Sequence, residues 1–253
     1  MNGIKNYYER FRRANPKNTE LKLLMLILFL GVLFFRGIGS VELSWDLPVS
    51  LTVFLFSMTC HEVAHGYAAY RFGDDTAKKA GRLTLNPLKH LDITGLILPL
   101  LILFSGSKFL IGWAKPVPVN FYRLKPERLG LFCVAIAGIA VNMSFVLISL
   151  ILIRIFGNGL NPNGIVMSFL LYIYLINLVL AFFNLIPVTP LDGGRIIYSM
   201  ANKKVREFYD RIEKYGMIIV IIIVYTGLFS NFFSYILNFF IKLLKMDINV
   251  ILS

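Results

Sequence analysis

Long apolar runs alternate with short charged connections along this chain. Leu21–Phe35, Leu47–Tyr70, Leu129–Phe156 and Ile165–Leu185 are the clear apolar segments, and Gly216–Leu244 is a less regular one. A helix needs roughly 20 apolar residues to cross about 30 Å of hydrocarbon, so these runs predict membrane-spanning helices rather than one buried soluble core. The Gly216–Leu244 region leaves two readings open, one long broken helix or two short ones. Ile93–Phe104 is too short to span, is bounded by Gly95 and interrupted by Pro99, and predicts a re-entrant or interfacial element. Gly81 and the alternating Leu83 and Leu85 suggest a small hairpin over Thr76–Asn86.

Composition agrees with a polytopic membrane protein: 57% of the 253 residues are hydrophobic and only 16% are charged. The net charge of +12 raises nucleic acid as a partner, but the basic residues sit between apolar runs instead of gathering on a soluble face. A cytoplasm-facing basic rim against the lipid bilayer is the better account, and no nucleic-acid partner is expected. Lys5, Arg10, Arg12, Arg13 and Lys17 place the N-terminal arm inside, and Arg36–Asp46, with Glu42 and Asp46, reads as an outside loop. The basic connections at Arg71–Lys89, Lys108–Arg128 and Arg195–Lys214 then return to the cytoplasm, while Gly157–Gly164 carries no charge and faces outward. The stretch after Leu21–Phe35 has no convincing small-residue cleavage site, which favours a retained first span over a removed signal. Cys60 and Cys133 both lie in apolar segments, so no disulfide framework is expected. Repeats and a separate soluble domain are absent from the pattern, which predicts a single integral membrane domain over 1–253.

The second apolar run contains Cys60-His61-Glu62-Val63-Ala64-His65-Gly66, an HExxH pattern. Histidines four residues apart share one helical face and can share one Zn²⁺, with the intervening glutamate placed to act on a water. Ionisable side chains are expensive inside a membrane segment, so such a cluster there points to function. Two histidines do not complete a zinc site, and a third ligand must come from elsewhere. His90 qualifies by residue type; Asp192 qualifies by position, in a stretch broken by Pro187 and Pro190 and followed by Gly193 and Gly194. Two crossings, Leu129–Phe156 and Ile165–Leu185, separate HExxH from Asp192 if the Ile93 run does not span, which brings Asp192 back to the depth of His61 and His65.

With these residues, the chain resembles the site-2 protease family of intramembrane zinc metalloproteases. The resemblance extends from about Leu51 to Arg195 and rests on HEVAH, on Gly81-Arg82-Leu83-Thr84-Leu85-Asn86-Pro87 through His90, on Gly112-Trp113-Ala114-Lys115-Pro116-Val117-Pro118-Val119-Asn120, and on Pro190-Leu191-Asp192-Gly193-Gly194. It implies His61, His65 and Asp192 as zinc ligands and Glu62 as the catalytic acid and base. The implied fold is an all-α polytopic helical bundle with a three-helix catalytic core, on the segments holding HExxH, Asn142 and Asp192. That core occupies about 47–200, with peripheral helices at 21–35 and 216–244. A small membrane-associated β-like or re-entrant element over Gly81–Asn120 is expected beside it, where an extended substrate can pair by strand addition. The family commonly has a proline after the glycine of the middle core helix, whereas Gly138-Ile139-Ala140-Val141-Asn142 has none. Asn142 keeps its place and is assigned to substrate positioning or oxyanion stabilisation. Asn184 is a weaker candidate for a polar role, and no inserted PDZ or CBS domain is recognisable. The implied activity is hydrolysis in or near transmembrane segments of membrane-anchored or signal-peptide-like substrates, with the site toward the cytoplasmic half of the cell membrane. The alternative is a non-proteolytic metal-binding membrane protein or transporter, against which Glu62 weighs, because a transporter has no chemical need for it.

Overall fold

The computed structural model describes residues 46–90, 116–227 and 230–244. The expected span at Leu21–Phe35 and the run Ile93–Phe104 lie outside these residues. Helix α1, Asp46–Arg71, covers the expected second span in one piece, with Pro48 in its opening turn, where a missing N–H costs nothing. Its end has a local cause. Gly73 adopts φ +96°, the Gly73 N–H returns to the Tyr70 carbonyl and the Asp74 N–H to that of Ala69. This is a glycine-terminated Schellman stop. It turns Asp74 into the interior, where it is fully buried, and leads into the single turn α2, Thr76–Lys79.

Helix α3, Glu127–Phe156, and helix α4, Ile165–Asn184, are antiparallel neighbours joined through a turn at Gly157–Gly159. By length and composition α3 with that turn, and α4, are the two described helices apolar enough to cross a membrane. Their outward faces, including Leu147, Ile148, Ile151, Phe169 and Val179, are exposed in the isolated chain. Such a broad apolar surface suits lipid and not water. Inward, Val146 and Ile153 of α3 meet Met167, Leu171, Tyr174 and Leu178 of α4 in the main buried cluster. Helix α1 packs against both, so three long helices pack together among the described residues.

Pro187 and Pro190 stop α4 from continuing. The chain turns and restarts as α5, Asp192–Met200, followed by α6, Lys203–Ile212, which Asn202 caps by accepting from the Val205 N–H at 3.1 Å. The Gly216–Leu244 region forms two helices, α7 at Gly216–Tyr225 and α8 at Ser230–Leu244, with Gly227 at φ +69° between them. Leu244 of α8 joins the α3–α4 cluster.

Among the described residues there is no strand. The hairpin expected over Thr76–Asn86 is therefore corrected. The Asp74 carboxylate accepts from both the N–H and the hydroxyl of Thr76, which starts a helical turn instead, and Gly81 at φ +65° ends it. The rest of the expected β-like element, over 91–115, lies outside the described residues, and 116–120 forms neither helix nor strand.

Tyr174 ties α4 to α8 by donating its hydroxyl to the Phe240 carbonyl at 2.6 Å. Tyr174→Phe removes only that bond and is expected to lower stability by about 0.5–1.5 kcal/mol, the usual worth of an interhelical hydrogen bond. Thermal unfolding in detergent measures this, and an unchanged midpoint would show that the α8 contact carries no weight.

Candidate metal centre

One turn of α1 separates His61 from His65, so both rings leave the same helical face. Their centroids stand 4.6 Å apart at 85°, and their Nε2 atoms approach to 3.0 Å. Asp192, the first residue of α5, brings its Oδ2 to 3.3 Å from each of these nitrogens. The three side chains form a mutually adjacent donor set, with exposures of 5%, 12% and 15%.

The neighbours decide which ring nitrogens face this centre. The His65 Nδ1 lies 2.7 Å from the Val134 carbonyl. A carbonyl only accepts, so Nδ1 carries a proton, and Nε2 is the ring nitrogen left to serve as a ligand. The His61 Nδ1 meets the Asn142 side-chain amide at 3.1 Å, on the edge of the ring away from Asp192. Only His65 is held as metal-binding histidines are, donating its outer N–H to a carbonyl. The Asn142 group at His61 Nδ1 is an amide NH2, a donor, and turning that amide over would bring its otherwise unpartnered buried Oδ1 to accept from Nδ1.

Glycine makes the approach possible. A Cβ on Gly138 would lie 2.5 Å from His61 Cε1 and 2.6 Å from His65 Nε2, inside the donor cluster itself. Val134, Gly138 and Asn142 are spaced four apart on α3, and they face His61 and His65, four apart on α1. Two such rows interdigitate as ridges and grooves. Gly193 and Gly194 do the same for Asp192, since a Cβ on either would come within 2.3 Å of backbone at Leu185 or Thr189.

The residues fit a zinc ion on three counts. The donors are two imidazoles and a carboxylate, a zinc-type set. With metal–ligand bonds of about 2.0–2.1 Å, tetrahedral ligands stand roughly 3.3 Å apart, and the observed separations are 3.0, 3.3 and 3.3 Å. The Asp192 Oδ2 is buried without a hydrogen-bond partner, which a cation between it and the rings would supply.

Glu62 lies beside this group, and its Oε2 accepts from the Val117 N–H at 2.7 Å. Asn142, expected to act on substrate, is fully buried against His61. His90, the other candidate third ligand, is not brought to the cluster; its Nε2 bonds the Thr84 carbonyl of its own loop at 2.9 Å. Asn184 donates to the Leu180 carbonyl within α4. Cys60 and Cys133 are free thiols. Sequence reasoning missed Gly138, Val134 and Val117 as parts of the site. Gly138 and Val117 each lie in a motif already noted, Gly138–Asn142 and Gly112–Asn120, without a role in the site having been assigned to them, whereas Val134 left no signal.

A family model described as "Peptidase family M50" matches residues 49–227. A relative from Bacillus subtilis, "Putative zinc metalloprotease YwhC", is 43% identical over 190 residues, covering 73% of this chain and 83% of the relative. "Putative zinc metalloprotease Rip2" of Mycolicibacterium smegmatis is 29% identical, over 74% of this chain and 70% of its own length. "Zinc metalloprotease MJ0392" of Methanocaldococcus jannaschii is 28% identical, over 79% of this chain and 47% of its own length. No solved structure matches the chain.

A methyl group at Gly138 must displace one or both imidazoles. Gly138→Ala is therefore expected to weaken zinc binding by roughly 10- to 100-fold, as disturbed ligand orientation does elsewhere, while helix content stays unchanged. Chelator competition followed by metal analysis checks it; wild-type affinity in this variant would contradict the packing described.

Proposed function

The chain belongs to peptidase family M50, the site-2 protease family, and is a membrane-bound zinc metalloprotease; on that premise we propose that it cuts peptide bonds in or near transmembrane segments of membrane-anchored proteins. The observation that carries this reading is the depth of the site. Gly138 and Asn142, which back the two imidazoles, lie in the middle of the apolar helix α3 and not at its ends.

His61, His65 and Asp192 would hold the ion. Bound there, Zn²⁺ supplies Lewis acidity, polarising the scissile carbonyl and acidifying a water molecule. Glu62 has one carboxylate oxygen engaged by the Val117 N–H, which leaves Oε1 to take a proton from the attacking water. The same atom returns the proton to the leaving nitrogen as the C–N bond breaks. The buried amide of Asn142 supports a role in orienting His61 in preference to touching substrate.

The distribution of Lys and Arg supports a cytoplasmic N-terminus and a site in the cytoplasmic half of the bilayer. The whole chain, 1–253, then forms one multi-pass membrane domain, with its catalytic core at about 47–200 and helices 21–35 and 216–244 at the periphery. Substrates would be single-span proteins or signal-peptide-like remnants, presented locally extended, because a helical peptide hides its carbonyls. Metal transport is the rival function. A transporter needs further ionisable groups along its path, yet no Asp, Glu, Lys, Arg or His occurs between Leu129 and Ile153 or within α4.

Glu62→Gln separates the two. Comparing membrane proteomes of cells carrying the native chain and this variant is expected to reveal a single-span protein that accumulates uncut, with zinc still bound to the variant. Unchanged proteomes together with altered metal flux would favour the transporter.

A further inference from the structure

The Pro116–Asn120 segment belongs to a sequence signature that zinc binding leaves unexplained. It forms neither helix nor strand, and its contacts fall on the C-terminal half of α1 and the turn that follows. Pro116 and Pro118 have no N–H, so only Val117, Val119 and Asn120 can donate from its backbone. Two of those three donate to acidic side chains. Val117 N–H reaches Glu62 Oε2 at 2.7 Å, and Asn120 N–H reaches Asp74 Oδ2 at 2.6 Å. The Val117 side chain fills the notch at Gly66, one helical turn beyond Glu62, where an added Cβ would lie 2.8 Å from Val117 Cγ1. Just downstream, the Lys125 N–H bonds the Phe72 carbonyl at 2.9 Å.

Asp74 fastens this segment. It is wholly buried, its Oδ1 is occupied by Thr76 and its Oδ2 by Asn120, and the Gly73 turn fixes its own backbone. A carboxylate shut away from water and used entirely to accept backbone and hydroxyl donors is a structural clasp. What it clasps is the chain segment that reaches the glutamate.

We propose that Pro116–Asn120 is a positioning strap that aims the Glu62 carboxylate, and that Asp74 is a positioning residue acting through it. This rests on the reading of Glu62 as the general base. A glutamate side chain on a helix has three rotatable bonds, and proton transfer needs its oxygen within hydrogen-bond reach of the water and the leaving nitrogen. An amide donor between two prolines cannot swing away, so it holds Oε2 and leaves Oε1 to work. Asp74 touches neither the metal ligands nor Glu62.

Hydrogen exchange on the full zinc-loaded chain in detergent reads the strap without any substrate, because a peptide over 116–120 reports only three amides. Glu62→Ala is expected to speed exchange at Val117 by about tenfold or more while sparing Asn120; Glu62→Gln, which keeps an acceptor oxygen, should resemble the native chain. Asp74→Ala should speed exchange at both. On the substrate that accumulates in the Glu62→Gln cells, Asp74→Ala should lower kcat by about tenfold or more with KM within about twofold and zinc content intact. Should Asp74→Ala fail to fold, Val117→Pro removes the amide donor and Val117→Ala keeps it; loss of kcat in the first and its retention in the second is the expected pair. Unchanged exchange at Val117 in Glu62→Ala, native kcat in folded Asp74→Ala, or equal effects of the two Val117 variants would overturn the proposal. Absence of cleavage by the native chain would instead sink the protease reading, and the exchange pattern tells the two failures apart.

Discussion

The closeness of α1 to α3 at Gly138 governs the rest of the site. A side chain of any size there would occupy the space in which His61 and His65 converge. Because it is glycine, His61 and His65 settle against the row Val134, Gly138, Asn142, and each ring finds a partner behind it. Polar groups inside an apolar layer are tolerated when they are satisfied and are costly when they are not. The Val134 carbonyl and the Asn142 amide satisfy the outer edges of the rings. The inner edges and the Asp192 carboxylate face one another, a deficiency that a divalent cation removes.

Asp192 reaches this position because α4 is broken. Pro187 and Pro190 end one helix, and α5 restarts with the carboxylate in its first turn, where a negative charge is favoured by the helix dipole. The turn is then braced from several sides. Gly193 and Gly194 press against the backbone at Leu185 and Thr189, Gly216 abuts the Thr189 carbonyl, and the Tyr209 hydroxyl donates to the Pro187 carbonyl at 2.9 Å. Arg206 of α6 donates to the Tyr198 and Ser199 carbonyls at the end of α5 and to Glu127 at the start of α3. A ligand at the start of a short helix is thereby braced by the elements around it.

Local patterns explain what could be read in advance. HExxH is a relation between residues four apart on one helix, and helical geometry alone places both rings together. Asp192 lies far along the chain, but counting apolar runs returns it to the right depth. Gly138, Val134 and Val117 contribute through the register between elements, or through a backbone atom, so even where a motif contains them, as it does Gly138 and Val117, residue type does not disclose the role. The Thr76–Asn86 hairpin failed because alternation of Leu83 and Leu85 competes with a stronger local preference, the Asp74 side chain nucleating a turn on Thr76. Gly216–Leu244 resolves into two helices at Gly227, where a positive φ interrupts an otherwise helical pattern.

Two kinds of support therefore meet at one centre. The imidazoles are fixed by side-chain packing between apolar helices, which resists change as a close-packed interior does. Glu62 is fixed through the Val117 N–H of a proline-rich segment, and Asp192 by the close packing of Gly193 and Gly194 at the start of α5. A cation bound by donors from α1 and α5 would join elements that the chain separates by two long helices, so its binding free energy would add to this one tertiary arrangement. Aiming the base is a different task, and it belongs to a strap that touches no metal ligand. On that proposal the ion would be retained while the carboxylate is misdirected, so metal content and turnover would separate.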